Sequence, residues 1–153
     1  MAVQGPWTFF NIAKPKLFVG ADAVQLALGS DAFKVVLATS SQTLSATFTG
    51  SSTHARYADL TSELSTSNGY TNGGLTIPST SFPNLSAGVL TWNCSTMSWT
   101  ITGGGITFKW AAIYDNTASN KDLVCYTDFD TGGGSVTALS GTLSIPGPIA
   151  TAA

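Results

Sequence analysis

From Met97 onward, apolar and hydroxyl-bearing side chains take turns along the chain, and this period of two dictates extended structure. Met97, Trp99 and Ile101 alternate with Ser98, Thr100 and Thr102, and after Gly103-Gly104-Gly105 the apolar parity resumes at Ile106, Phe108, Trp110, Ala112 and Tyr114. Successive side chains of a strand point to opposite faces, so each run buries one row and leaves the other in water. Two such runs joined by glycines predict a hairpin. The same alternation marks Val24, Leu26 and Leu28; Phe33, Val35 and Leu37; Leu44, Ala46 and Phe48; and Leu90, Trp92 and Cys94. Leu123 to Tyr126 is apolar on both parities, as in a strand covered on two faces or one that crosses between sheets, and belongs in the middle. Leu139, Gly141, Leu143 and Ile145 predict the last strand before Pro146 and Pro148.

Composition agrees with this reading. Charged residues make up 9 % of the 153 positions and hydrophobic ones 43 %, which disfavours long solvated helices. Serine and threonine, 40 residues together, and 16 glycines supply the polarity that lysine and glutamate supply elsewhere. The expected fold is all-β: a single antiparallel β-sandwich or flattened barrel of about eight strands. Residues 1–20 form an extended N-terminal arm, residues 21–148 the sandwich, and residues 149–153 a frayed tail. Residues 50–84 break the alternation with Gly, Asn and Pro and are expected to form one long loop excursion. Within it, Asp59 to Leu64 predicts one helical turn capped by Asp59, and Asn68-Gly69 and Asn72-Gly73 predict tight turns that present Tyr70 between them.

The net charge of −2 is not clustered, so neither nucleic acid nor an anionic membrane is an expected partner. No apolar run reaches the roughly 18 residues of a membrane span, and the opening "MAVQGPWTFFNIAKPKLF" has no basic leader followed by a long apolar core. Folding in a reducing cytosol is expected, with Cys94 and Cys125 as buried thiols or as a disulfide between neighbouring strands.

Catalytic groups are few. His54 is the single histidine, set in a Ser/Thr-rich loop, and neither cysteine has a basic or helix-start setting that would favour its thiolate. The two glycine runs lack the lysine of a phosphate loop. Asp115, Asp122, Asp128 and Asp130 fall near strand ends and read first as solvated carboxylates. Asp128 and Asp130 share parity, and "DFDTGGG" begins like a calcium loop, but no later glutamate completes it, so they are weak metal candidates. No catalytic residue and no cofactor is expected. Trp92, Trp99 and Trp110 lie on apolar parities and predict core. Trp7 and Tyr70 fall outside the alternation, and with Phe9, Phe10 and Phe18 of the arm they are the candidate partner-binding residues.

Four stretches, "AFKVVLATS", "YADLTSELSTSNGYTNGGLTI", a tryptophan strand and "WAAIYDNTASNKDLVCYTDF", occur in an order that resembles a family of small tailed-bacteriophage virion proteins. The resemblance covers roughly residues 30–145 and rests on Glu63, Gly69-Tyr70, Gly73-Gly74 and Ile113-Tyr114-Asp115. It departs at residues 93–95, where "NCS" replaces an acidic turn, and at the extended arm. It implies a β-rich structural component of the virion, made in the host bacterial cytoplasm. The foremost expectation is a capsid decoration, or cement, protein that binds the major capsid protein or neighbouring virion subunits as a homo-oligomer, a trimer first. The alternatives are a neck or tail connector or fibre-attachment protein, or a receptor- or glycan-binding module using Tyr70 and the glycine loops. The arm is expected to dock on a neighbouring subunit, because its aromatic residues are too apolar to stand free in water.

Overall fold

A computed structural model describes residues 2–15, 31–50, 54–78, 80–86, 89–146 and 150–152. The fold is all-β, with every strand pairing antiparallel. In chain order the strands are β1 (Thr8–Phe9), β2 (Phe33–Ala38), β3 (Leu75–Thr76), β4 (Thr80–Ser86), β5 (Val89–Cys94), β6 (Met97–Ile101) and β7 (Ile106–Phe108). There follow β8 (Trp110–Asp115), β9 (Leu123–Asp128), β10 (Val136–Ala138), β11 (Gly141–Ile145) and β12 (Ala150–Ala152). A five-stranded sheet has the order β1-β9-β8-β2-β3, and no closed barrel forms among the described residues. Among them, too, no helix is long and apolar enough to cross a membrane.

The alternating stretch becomes the spine of the molecule. Residues 89–115 supply β5, β6, β7 and β8 in succession and so pass through all the sheets. The C-terminal strands run back along it: Val136 pairs with Phe108, Gly141 with Ile101, Ile145 with Met97 and Ala150 with Trp92. The predicted hairpin at Gly103-Gly104-Gly105 is therefore corrected. β6 and β7 do not pair with each other; residues 102–105 face residues 139–140, and the glycines turn a corner in a two-stranded ribbon. Gly103 (φ 59°) and Gly105 (φ 80°) adopt the left-handed backbone this corner requires. The tail, expected to fray, supplies β12 on β5.

β8 is buried on both faces along its whole length, and β9 beside it nearly so. One face meets the layer containing β5, where Phe33 and Trp92 pack edge to face with centroids 4.8 Å apart. The other is covered by loops and by the arm, through Tyr57 against Tyr114 and Phe10 against Tyr126. This sandwich-like layering explains why residues 123–126 are apolar on both parities. Trp92, Trp99 and Trp110 are core, as their parity predicts. Each such burial contributes about 1.5–3 kcal/mol of transfer free energy.

The arm requires a correction. Thr8 and Phe9 pair with Tyr126 and Cys125, and Trp7, Phe9 and Phe10 are buried in this chain's own core. Their apolar surface is covered from within, so these residues are not exposed anchors for a neighbour. Phe18 and the strand predicted around Val24, Leu26 and Leu28 lie outside the described residues.

The excursion is shorter than expected, since its last part forms β3 and β4. The predicted helical turn is a 3-10 turn at Tyr57–Asp59, two residues early, because the Asp59 carboxylate reaches back to the Arg56 amide (2.8 Å) instead of capping the next turn. Leu44, Ala46 and Phe48 lie in irregular chain; Leu44 is buried, Phe48 packs on Phe10, and no strand pairs with this stretch among the described residues.

Candidate functional site

The excursion lays itself along the outer edge of β2. Ile77 N–H donates to the Phe33 carbonyl (2.9 Å), Leu64 N–H to Leu37 (2.9 Å) and Thr39 N–H to Ser62 (2.9 Å). The Glu63 carboxylate sits here as a hub, accepting hydrogen bonds from Tyr57 Oη (2.5 Å), Tyr70 Oη (2.7 Å) and the Gly73 amide (2.7 Å). Tyr70 Oη in turn accepts from the Leu37 amide at 3.1 Å, completing the β2 edge beyond its pairing with β3, where no further strand pairs with it among the described residues. Tyr114 donates to the Gly73 carbonyl (2.9 Å), and its ring stacks on Tyr57 with centroids 4.6 Å apart.

Turn chemistry makes the hub possible. Asn68 (φ 50°) and Gly69 (φ 90°) reverse the chain so that Tyr70 returns inward, where it is 1 % exposed. This overturns the expectation that Tyr70 is presented to a partner. The turn also plugs the glycine corner: Asn68 Nδ2 donates to the Gly105 carbonyl (2.6 Å) and Thr102 N–H to the Asn68 carbonyl (3.0 Å). Gly69 approaches so closely that a Cβ there would lie 1.9 Å from the Thr100 carbonyl oxygen. Burial first, and then the hydrogen bond to Glu63, raise the Tyr57 and Tyr70 phenols above the ordinary tyrosine range; for Tyr70 the Leu37 amide opposes the rise. Both therefore stay neutral donors at physiological pH.

The "DFDTGGG" loop closes around an internal cation. Lys109 Nζ lies 3.2 Å from Asp128 Oδ2 and donates to the carbonyls of Asp130 (3.0 Å) and Gly134 (3.3 Å). Asp128 Oδ1 accepts from the Asp130 amide (2.8 Å) and Asp130 Oδ1 from the Gly132 amide (3.0 Å). The oxygen-rich geometry that suggested calcium is thus engaged by a lysine ammonium. No three His, Cys, Asp or Glu side chains gather as a metal site among the described residues. Lys109 stands between β7 and β8, and Trp110 supplies a ring 5.1 Å from the ammonium. Sequence reasoning passed it over, although it is the only charge between Glu63 and Asp115 and interrupts an otherwise apolar and hydroxyl pattern.

The remaining reactive groups serve the fold. Asp115 Oδ1 accepts from the amides of Thr117 (2.8 Å) and Ala118 (3.1 Å), an Asx-type turn that leads out of β8. Burial raises its carboxyl above the usual range, the two amides oppose that rise, and nearby Asp31 adds to it. Cys94 and Cys125 are free thiols, as one of the two sequence readings has it. Burial pushes Cys94 up to about 11 and Cys125 well above its ordinary value, so neither supplies a thiolate at neutral pH. His54 is partly buried, and its carbonyl accepts from Gly50 N–H at 3.0 Å.

The spine and its return strands offer a different kind of surface. Ser98, Thr100, Thr107, Thr137, Thr142 and Ser144 are exposed on β6, β7, β10 and β11. They meet as cross-strand hydroxyl pairs, Ser98 with Ser144 (3.1 Å) and Thr107 with Thr137 (2.9 Å). The sequence carries no charge from Leu64 to Phe108 or from Thr131 to Ala153. Compared with protein-family models, with curated proteins and with solved structures, the chain matches none.

Proposed function

We propose that this chain is a structural protein of a tailed-bacteriophage particle, a non-enzymatic capsid decoration protein that binds the head lattice and stabilises it. The observation that carries the reading is the fate of the motif residues behind the resemblance. Glu63, Tyr70, Gly73 and Tyr114 converge on one hydrogen-bonded hub, Gly69 makes the turn that brings Tyr70 into it, and Asp115 ends the adjoining strand. The most distinctive residues of the chain are thus spent on rigidity rather than on a reacting centre. A particle protein needs that, because it must survive intact while contacting neighbours repeatedly, and weak contacts become strong when many act together. A glycan-binding module built on Tyr70 loses its anchor, since that ring is buried.

The test is copy number on the purified particle, by quantitative mass spectrometry against the major capsid protein and labelled-antibody electron microscopy. Many copies spread over the head are expected. A handful at one vertex or along the tail would overturn the cement reading in favour of a neck or tail connector, and absence from the particle would overturn the virion reading altogether.

A further inference from the structure

β10 and β11 form an outer edge. Among the described residues they pair only with β7 and β6, leaving one side of residues 136–145 without a strand. Further along, β12 lies beside β1, while β6 and β7 likewise have no strand on their other sides among the described residues. An open edge presents a row of backbone donors and acceptors, and proteins that keep such an edge solitary blunt it with charges, proline or a covering segment. Residues 136–145, "VTALSGTLSI", contain no charge and no proline. Gly141, Thr142 and Ser144 are exposed, and Leu139, at the ribbon's bend, is 68 % exposed.

We infer that this edge is an interaction surface whose occupant is a second copy of the same chain, joined by antiparallel pairing of β11 with β11 about a two-fold axis. The inference does not depend on the virion reading. Two observations select a second copy over an unrelated partner. The edge is neutral, so identical copies meet without like-charge repulsion, while a charged partner finds no counter-charge on it. The chemistry of the edge is also complementary to itself. Across the existing β6/β11 boundary, Ser98 meets Ser144 through their hydroxyls and Thr100 stands opposite Thr142. Pairing two β11 strands sets Thr142 and Ser144 against the same residue types, which repeats that ladder. One edge pairing with itself generates a closed two-fold dimer, not the trimer that the sequence led one to expect.

The experiment is sedimentation equilibrium of the full chain over a range of concentrations, beside a Thr142→Lys/Ser144→Lys variant. The wild type is expected to form a particle of twice the 15.7 kDa chain mass. The variant places like charges directly opposite each other across the axis and is expected to weaken the dimer by roughly tenfold or more, with an unchanged circular dichroism spectrum. Should the variant fail to fold, amide hydrogen exchange of the wild type decides: protection of residues 141–145 must rise with protein concentration. A single-chain mass at all concentrations, a trimer, a dimer indifferent to the two lysines, or edge exchange independent of concentration would each overturn the proposal.

Discussion

Replacing Tyr70 by phenylalanine removes one oxygen atom and leaves the ring volume unchanged, so it tests the Glu63 hub without opening a cavity. In the wild type that oxygen donates to Glu63 Oε1 at 2.7 Å and accepts from the Leu37 amide at 3.1 Å. A hydrogen bond to a charged group contributes about 1.5–3 kcal/mol, and stranding a buried amide costs about 1–3 kcal/mol. The two losses share one atom and do not simply add, so about 3 kcal/mol is expected, or a fall in Tm of about 6–12 °C for a domain of this size. Tyr57→Phe is the internal control. It removes the other phenol from the same carboxylate, but Tyr57 is only half-buried and no amide depends on its oxygen, so water replaces much of the loss. Its expected cost is about 1 kcal/mol. Urea unfolding of both variants, with unchanged m-values, measures the difference. A Tyr70→Phe loss below about 1 kcal/mol, or a Tyr57→Phe loss as large as that of Tyr70→Phe, would refute the claim that Tyr70 completes the β2 edge.

Gly69→Ala is expected to cost about 2–4 kcal/mol, because the new Cβ meets the Thr100 carbonyl at 1.9 Å in a backbone at φ +90°. Gly73→Ala, with φ +91° but open space around it, should cost about 1–2 kcal/mol; equal losses in urea titrations would contradict the close approach. Lys109→Met leaves the Asp128 carboxylate and two carbonyls without their cation and should cost about 2–4 kcal/mol, with a neutral result arguing against the internal-cation reading. The Tyr57, Tyr70 and Tyr114 phenols are raised by burial above their ordinary 10.0, so the unfolded chain gives up these protons first as pH climbs. Their contribution is fully present below about pH 10 and is lost as pH rises beyond it, so urea midpoints should fall as pH is raised above about 10, and midpoints that stay flat there would speak against the buried cluster.

Much of the fold was legible in single residues because strand periodicity is local. The parity of Met97, Trp99 and Ile101, or of Phe108 and Trp110, states which side is apolar, and burial follows it wherever any layer covers that side. The two-sided apolarity of residues 123–126 likewise announces a strand with layers above and below. Periodicity does not say which segment does the covering. Trp7, Phe9 and Phe10 are apolar whether their cover is a neighbour or the chain's own β9, and only the pairing of Thr8 with Tyr126 decides. The glycine run after Thr102 permits a hairpin and a corner alike, and the choice fell to Asn68 and to residues 139–140, which come from distant parts of the chain.

The candidate site divides in the same way. Asn68-Gly69 and Asn72-Gly73 declare tight turns in advance, and the structure places Asn68, Gly69 and Gly73 in left-handed backbone that few other residues tolerate. Where Tyr70 then points depends on Glu63 and on the open amide of Leu37, and neither relation has a sequence period. The oxygen-rich pattern at Asp128 and Asp130 was equally plain, while the cation that meets it, Lys109, stands about twenty residues away along the chain (Lys109 to Asp128). By itself, then, the sequence determined strand character, inward parity, turn positions and an almost uncharged surface, all of which are set by near neighbours along the chain. Tertiary structure alone decided sheet order, the burial of the arm and Tyr70, and the partners of Glu63, Tyr70 and Lys109, because those depend on which distant segments close upon one another.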